Sequence, residues 1–182
     1  MAHYDQNIDS LNSTGLPIYE KAGTQGLQVT FTSESGYVEP YDLDDFKDYA
    51  RIDFDTDDNL LAIFLKAARV DVERYLQKSL GIRTISLTAL KLPKNYVLPY
   101  GPVQSVSTTG YTNVGDILKE GGIDVVIEYI SNASLVNDSI TKSIYAQALH
   151  YYEYRNKFSQ LQGTIVDEVK MCLYSFKKIQ FP

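Results

Sequence analysis

The stretch that decides the fold is Asp57-Asp58-Asn59-Leu60-Leu61-Ala62-Ile63-Phe64-Leu65-Lys66-Ala67-Ala68-Arg69-Val70-Asp71-Val72-Glu73-Arg74-Tyr75-Leu76-Gln77-Lys78-Ser79. Leu61, Leu65, Ala68, Val72, Leu76 and Ser79/Leu80 return at steps of three and four residues, the spacing that stacks side chains on one face of an α-helix. Leu60, Ile63, Phe64 and Ala67 widen the apolar arc in the first half, which is therefore expected to be nearly enclosed. Further along, Arg69, Glu73, Arg74, Gln77 and Lys78 are expected to form an exposed face. Thr56 stands where an N-cap is wanted, and Asp57 and Asp58 place negative charge in the first turn. Gly81 stands where a left-handed residue stops a helix. At 1.5 Å per residue, such a helix is roughly 34 Å long.

Upstream, Asp42 can cap a short helix over Leu43–Ala50, with Leu43, Phe46 and Ala50 turned inward. Downstream the period changes. Thr84 to Thr88 and Val103 to Ser107 alternate, and Asp124 to Ile130 is rich in β-branched and aromatic residues, so these three read as strands. Pro99 and Pro102 flank Tyr100-Gly101 as a rigid turn. Asn113 to Gly122, with Gly115, Gly121 and Gly122, reads as a loop or hairpin tip. A second helix, capped by Asn137 or Asp138, is expected from Ser139 to Lys157. Its apolar stripe is Ile140, Ile144, Ala148, Tyr151/Tyr152 and Arg155, and a more polar one holds Gln147, His150 and Tyr154. Glu153 and Lys157 make a four-residue ion pair. A last helix is expected from Thr164 to Lys178, with Ile165, Val169, Cys172/Leu173 and Phe176 on one side.

Residues 1–41 carry no helical period. Leu27 to Thr32 alternates and can form one strand, which needs a partner. The segment reads as an arm ordered where it docks on a neighbour, or alternatively as a flexible tail. The fold expected is α+β, mainly α. It is a small helical bundle built on two long helices, with an inserted small β-sheet or hairpin region and an extended N-terminal arm. The arm covers 1–41 and the compact domain 42–182, with a helical core at 42–81 and 137–178 and a β insertion at 82–130.

The chain has 182 residues and a formal net charge of −6. That balance argues against a broad basic surface gripping DNA or an anionic membrane. It does not forbid proximity to DNA, since an acidic surface lining a channel would let DNA pass without sticking, phosphate contacts being what drives non-specific binding. No apolar run reaches the ~20 residues that span a bilayer. The first residues lack the basic start and apolar stretch of a signal peptide, so a cytoplasmic protein is expected. The single cysteine, Cys172, allows no internal disulfide and no Cys-based metal cluster, and it reads as a small buried hydrophobe. Fifteen tyrosines and no tryptophan suit partly wet protein contacts, or reflect compositional bias alone.

No phosphate loop, nucleophile elbow or zinc-protease motif is present. Asp53, Asp55 and Asp57 imitate the start of a calcium loop. The sixth position, which needs Gly, is Asp58, and the twelfth, which needs Glu, is Phe64. Helix capping accounts for these carboxylates instead. No catalytic, cofactor or metal site is expected.

Taken in order, four stretches resemble the head–tail connector (adaptor) family of tailed double-stranded DNA phages. The first is Asp42-Leu43-Asp44-Asp45-Phe46-Lys47-Asp48-Tyr49-Ala50-Arg51-Ile52-Asp53. The second is the helix of the opening stretch, from Asp57 through Leu76. The third is the turn Leu98-Pro99-Tyr100-Gly101-Pro102-Val103-Gln104-Ser105-Val106. The fourth is Ala148-Leu149-His150-Tyr151-Tyr152-Glu153-Tyr154-Arg155-Asn156. The resemblance covers about residues 42 to 178. It implies a virion protein of the neck, assembled in the bacterial cytoplasm, with no enzymatic activity and no cofactor.

The partners it implies are copies of itself in a ring matched to a twelve-subunit portal, the portal protein, and a stopper or tail-completion protein. Genomic DNA would pass through without specific binding, and no membrane is involved. The interface residues expected are Tyr111 and Asn113 in the loop, Tyr154 in the fourth stretch, and Phe158, Tyr174, Phe176 and Phe181 towards the C-terminus. The aromatic residues of that last group could equally close the subunit's own core. Two rival readings are a small hydrolase using His150 with a nearby carboxylate, which needs a concave pocket there, and a regulatory binding module, which needs a basic face if its ligand is nucleic acid.

Overall fold

The computed structural model describes residues 25–33, 37–132, 136–157 and 164–177. Their strands are β1 (Gln28–Ser33), β2 (Arg83–Leu92), β3 (Tyr96–Val97), β4 (Val103–Val106), β5 (Asn113–Val114), β6 (Ile117–Leu118) and β7 (Gly122–Ser131). Their helices are α1 (Leu43–Ala50), α2 (Asp58–Leu76), α3 (Asp138–Glu153) and α4 (Asp167–Leu173), with 3₁₀ turns at Arg155–Lys157 and Tyr174–Phe176. The chain is mixed α+β, not mainly α: the β part amounts to two antiparallel sheets rather than a small insertion. The two helices read as long are 19 and 16 residues. The chain divides into two compact units, one built on the sheets (within 1–36, 83–98 and 103–131) and one on the helices (37–82, 99–102 and 132–182).

In the helical unit the apolar stripe of α2 does what its period requires. Leu61, Leu65, Ala68, Val72 and Leu76 are fully buried, against Ile140, Ile144, Ala148 and Tyr151 of α3 and Ile165, Val169 and Leu173 in and before α4. Asp42 caps α1, its carboxylate accepting from the backbone N–H of Asp44 at 2.8 Å and of Asp45 at 3.3 Å. Asn137 caps α3 through the N–H of Ile140 at 3.0 Å. Such caps satisfy donors that helix geometry leaves orphaned.

Several local expectations are corrected. The helix α2 ends at Leu76 because Gln77, not Gly81, takes the left-handed conformation at φ 56°. Gly81 has another use: a Cβ there would overlap the ring of Tyr37. Thr56 is not the cap of α2; Asp57 occupies that position and makes no capping bond. Its carboxylate instead accepts from the Tyr152 hydroxyl at 2.9 Å. The first half of α2 is not enclosed throughout, since Ile63 is 56% exposed.

The largest correction concerns Arg69 and Glu73, which are buried rather than part of an exposed face. Arg69 Nη1 donates to Glu73 at 3.0 Å, and its Nε and Nη2 reach Glu39 at 3.1 and 3.2 Å. The Tyr37 hydroxyl donates to Glu73 at 3.1 Å, and the Tyr37 ring stacks 4.5 Å from the guanidinium. The backbone N–H of Leu80 also donates to Glu73, at 2.7 Å. Burial pulls the Arg69 guanidinium down, and the neighbouring Glu73, Tyr37 and Glu39 more than reverse this. Helical period alone places these residues on a surface; the segment carrying Tyr37 and Glu39 covers that surface and makes it interior.

In the sheet unit, one sheet has the order β1-β2-β7-β4 and the other β3-β6-β5, all antiparallel. Ile85, Leu87 and Ala89 of β2 sit directly opposite Tyr129, Ile127 and Val125 of β7, and all six are buried. Their neighbours Thr84, Ser86 and Thr88 face Ile130, Glu128 and Val126 on the other side of the sheet. This is the period-two division of a sheet with one buried face. The alternating segment near residue 28 has its partner in the chain itself, with Val29 opposite Leu87 and Phe31 opposite Ile85. Of the segment read as an arm, 25–33 and 37–41 therefore lie on the chain's own units, and 1–24 and 34–36 fall outside the described residues.

Candidate interaction surfaces

In the sheet unit the loop around Tyr111 and Asn113 is a tight hairpin. β5 and β6 pair Val114 directly with Ile117 across Gly115-Asp116, and Gly115 has φ +58°, a left-handed value that glycine adopts without strain. Asn113 donates its side-chain amide to the Gly115 carbonyl at 2.9 Å, closing the turn. Asp116 anchors the tip: its carboxylate accepts from Val103 N–H and its carbonyl from Leu98 N–H, both at 2.8 Å. Glu120 clamps the base, accepting from the N–H and hydroxyl of Thr112 at 2.7 and 2.8 Å. Those bonds hold its carboxyl below the usual range. Tyr111 and Asn113 are half-buried, while Val114 is 62% and Ile117 37% exposed. The tip thus presents an apolar pair on a braced turn. The sequence carries a signal for it: two β-branched residues flanking Gly-Asp are a hairpin pattern whose flanking side chains share a face.

In the helical unit Tyr154 is exposed just past α3, its ring 4.8 Å from that of His150. Tyr174 is exposed as well, and with Met171, three residues earlier, it forms an outward apolar strip where α4 passes into the 3₁₀ turn. Cys172 is also exposed, not buried, because the inward positions of this short helix are Val169 and Leu173. Phe176 is half-buried and packs on the helical core. Phe158 and Phe181 lie outside the described residues.

Beside His150 a groove of about 360 Å³ opens between α3 and the start of α4. Its apolar lining is Tyr49, Ala146, Leu149 and Val166, and its polar lining is His150, Glu153, Asp167 and Glu168. Gln147, buried one turn before His150, builds this groove. Its amide donates to the Thr164 carbonyl at 2.8 Å and accepts from Val166 N–H at 3.1 Å, pinning the entry to α4 against α3. Asp167 pairs with Lys170 at 2.8 Å, which holds its carboxyl low.

The hydrolase reading required a concavity at His150, and one is there. Among the described residues lining it, however, no Ser, Thr or Cys offers a nucleophile, and the carboxylates surround His150 without a reacting group to serve. The aspartates that imitate a calcium loop are occupied. Lys47 donates to Asp55 at 2.5 Å and Asp58 at 2.9 Å, so Asp55 is held low and Lys47 well above its usual range. Among the described residues no cluster is placed to hold a metal ion, and no helix is long and apolar enough to cross a membrane.

Comparison with solved structures finds chains of similar fold. A chain from the neck of an empty GTA particle computed with C6 symmetry matches with TM-score 0.58 and 15% identity, over 85% of this chain and 97% of that one. A chain from the virion of a native gene transfer agent (GTA) particle matches with TM-score 0.58 and 17% identity, over 87% and 98%. A chain from the neck of a native GTA particle computed with C12 symmetry matches with TM-score 0.55 and 18% identity, over 85% and 97%. No curated protein matches the sequence. A family model for phage gp6-like head-tail connector proteins matches residues 40–180, nearly the whole of the helical unit and most of the sheet unit. This chain therefore belongs to the phage gp6-like head-tail connector family and is a structural protein of the head–tail neck, not an enzyme.

Proposed function

We propose that this chain forms a twelve-membered ring between the portal and the tail, where it extends the DNA channel and carries a stopper or tail-completion protein. The observation that carries the reading is the family match over residues 40–180. Similar folds in necks of C6 and C12 symmetry support a ring. A ring of identical subunits needs two different faces that meet on neighbouring copies. The braced hairpin with Val114 and Ile117, in the sheet unit, and the strip of Met171 and Tyr174, in the helical unit, are two such exposed apolar faces. The net charge of −6 suits a channel that lets DNA move without adhesion.

In this reading Tyr111 and Asn113 shape the hairpin, Tyr154 and Tyr174 meet a partner, and the aromatic residues Phe158, Phe176 and Phe181 belong to a C-terminal docking element for the portal or a neighbour. The N-terminal arm over 1–41 adds contacts beyond the stretches that lie on the chain's own units. Assembly takes place in the host cytoplasm and the product resides in the virion neck.

The test is to mix the purified chain with purified portal and image the product by negative stain, with sedimentation in parallel. A ring on the portal face, twelvefold in projection, is the expected result. A compact monomer that never binds portal would sink the reading.

A further inference from the structure

We infer that the groove between α3 and the start of α4 receives the segment Lys178 to Pro182 of a neighbouring copy, an inference that rests on copies meeting in a ring. The groove has an apolar floor of Tyr49, Ala146, Leu149 and Val166 and an acidic rim that includes Glu153 and Glu168. The segment reads Lys178-Ile179-Gln180-Phe181-Pro182 and lies outside the described residues. In an extended chain Ile179 and Phe181 point to one side and Lys178 and Gln180 to the other. One side therefore matches the apolar floor, and Lys178 matches the carboxylates.

The groove's own chain could supply the occupant only by doubling back along α4. Asp167 lines the groove, and from it the chain runs away through α4 and the 3₁₀ turn to Lys177. That path is on the order of 15 Å at the rise of these helices. Lys177 holds its ammonium 4.5 Å from the Tyr75 ring and leaves in an extended conformation with ψ 132°. The stretch Lys178 to Pro182 spans ~17 Å when extended, and it would have to reverse direction to return. A second copy meets no such constraint. Adjacent copies joined tail to groove also make a heterologous contact, the kind that closes into a ring.

The test uses the full chain with Cys172→Ser in every copy, because the exposed thiol would otherwise compete. Copies carrying Leu149→Cys are mixed with copies carrying Phe181→Cys, portal-bearing particles are assembled from the mixture, and a short bismaleimide is added. The expected result is a covalent dimer, reduced at least tenfold by Glu153→Lys with Glu168→Lys in the groove copy and regained when the tail copy carries Lys178→Glu. A chain bearing both cysteines that closes on itself in preference to its neighbour overturns the inference. So does cross-linking indifferent to the charge changes, or incorporation of the chain into particles without any cross-link. Exclusion of the wild-type chain from particles is a different failure, which overturns the ring reading and this inference with it.

Discussion

The hydroxyl of Tyr151 on α3 donates to the carboxylate of Asp71 on α2, and both side chains are buried. The other oxygen of Asp71 accepts from Arg74 at 3.1 Å. A buried carboxylate tolerates its place only while its lone pairs are met, so this bond ties the two principal helices at one point in an apolar interface. Tyr151→Phe keeps the ring against Phe64 and removes the donor. It is expected to lower stability by about 1–3 kcal/mol, seen as a lower urea midpoint with an unchanged slope. A midpoint indistinguishable from wild type would show that the hydroxyl does not satisfy Asp71.

Arg69 is enclosed by Glu73, Glu39 and the ring of Tyr37. Arg69→Ala leaves the buried Glu73 without its cation and is expected to cost about 3–5 kcal/mol. Gly81→Ala attacks the same cluster sterically, since the added methyl displaces the Tyr37 ring; a cost of about 1–3 kcal/mol is expected. Because both changes act through Tyr37 and its neighbours, their costs should fall short of additive in a double-mutant cycle by denaturant unfolding. Strict additivity would mean the two sites are independent.

Alkaline pH reports on the sheet unit. Burial pushes the Tyr96 hydroxyl up to about 12. The unfolded chain releases this proton near 10 and the folded chain near 12, so the folded state binds more protons in between. The stability tied to this group is complete below about pH 10 and is lost as pH rises to about 12, a loss of roughly 2–3 kcal/mol. Tyr96→Phe should flatten that part of the profile. Stability measured against pH with and without the substitution checks this; parallel curves between about pH 10 and 12 would contradict it.

The hairpin tip separates folding from assembly. Val114 and Ile117 are exposed and contribute little to the core. Combining Val114→Lys with Ile117→Thr, which sets no like charges opposite each other, should cost no more than about 1 kcal/mol while cutting incorporation into necks at least tenfold, read from particle imaging and quantitative blotting. Asn113→Ala removes the bond to Gly115 and should cost about 0.5–1.5 kcal/mol, with a milder assembly defect. Normal incorporation of the double variant would remove this tip from the interface.

The C-terminal end shows how a sequence reading can point to a region without resolving its parts. The aromatic residues from Phe158 to Phe181 form one group on paper. In space Phe176 rests on the helical core, together with Val169 and Leu173, whereas Tyr174 and Met171 face outward. A cut after Lys157 would therefore strip the core of Ile165, Val169 and Leu173. A cut after Lys177 leaves those core residues in place. Gln147 and the groove it builds were not legible, because an amide on a helix face gives no sign that it will clamp a loop arriving from residue 164.

Periodicity by itself determined where the principal helices and strands lie, though not all of their ends. The stripe of α2, the cap Asp42, a cap of α3 at Asn137 or Asp138 and the strands around 84–88 and 124–130 follow from the character of residues close in sequence. Tertiary structure alone decided which faces became interior. Arg69 and Glu73 look like surface residues until Tyr37 and Glu39 cover them, and the segment near residue 28 looks like a loose arm until β2 offers its edge. The physical reason is that burial is set by what packs against a face from elsewhere in the chain, and a helical or strand period specifies only the face.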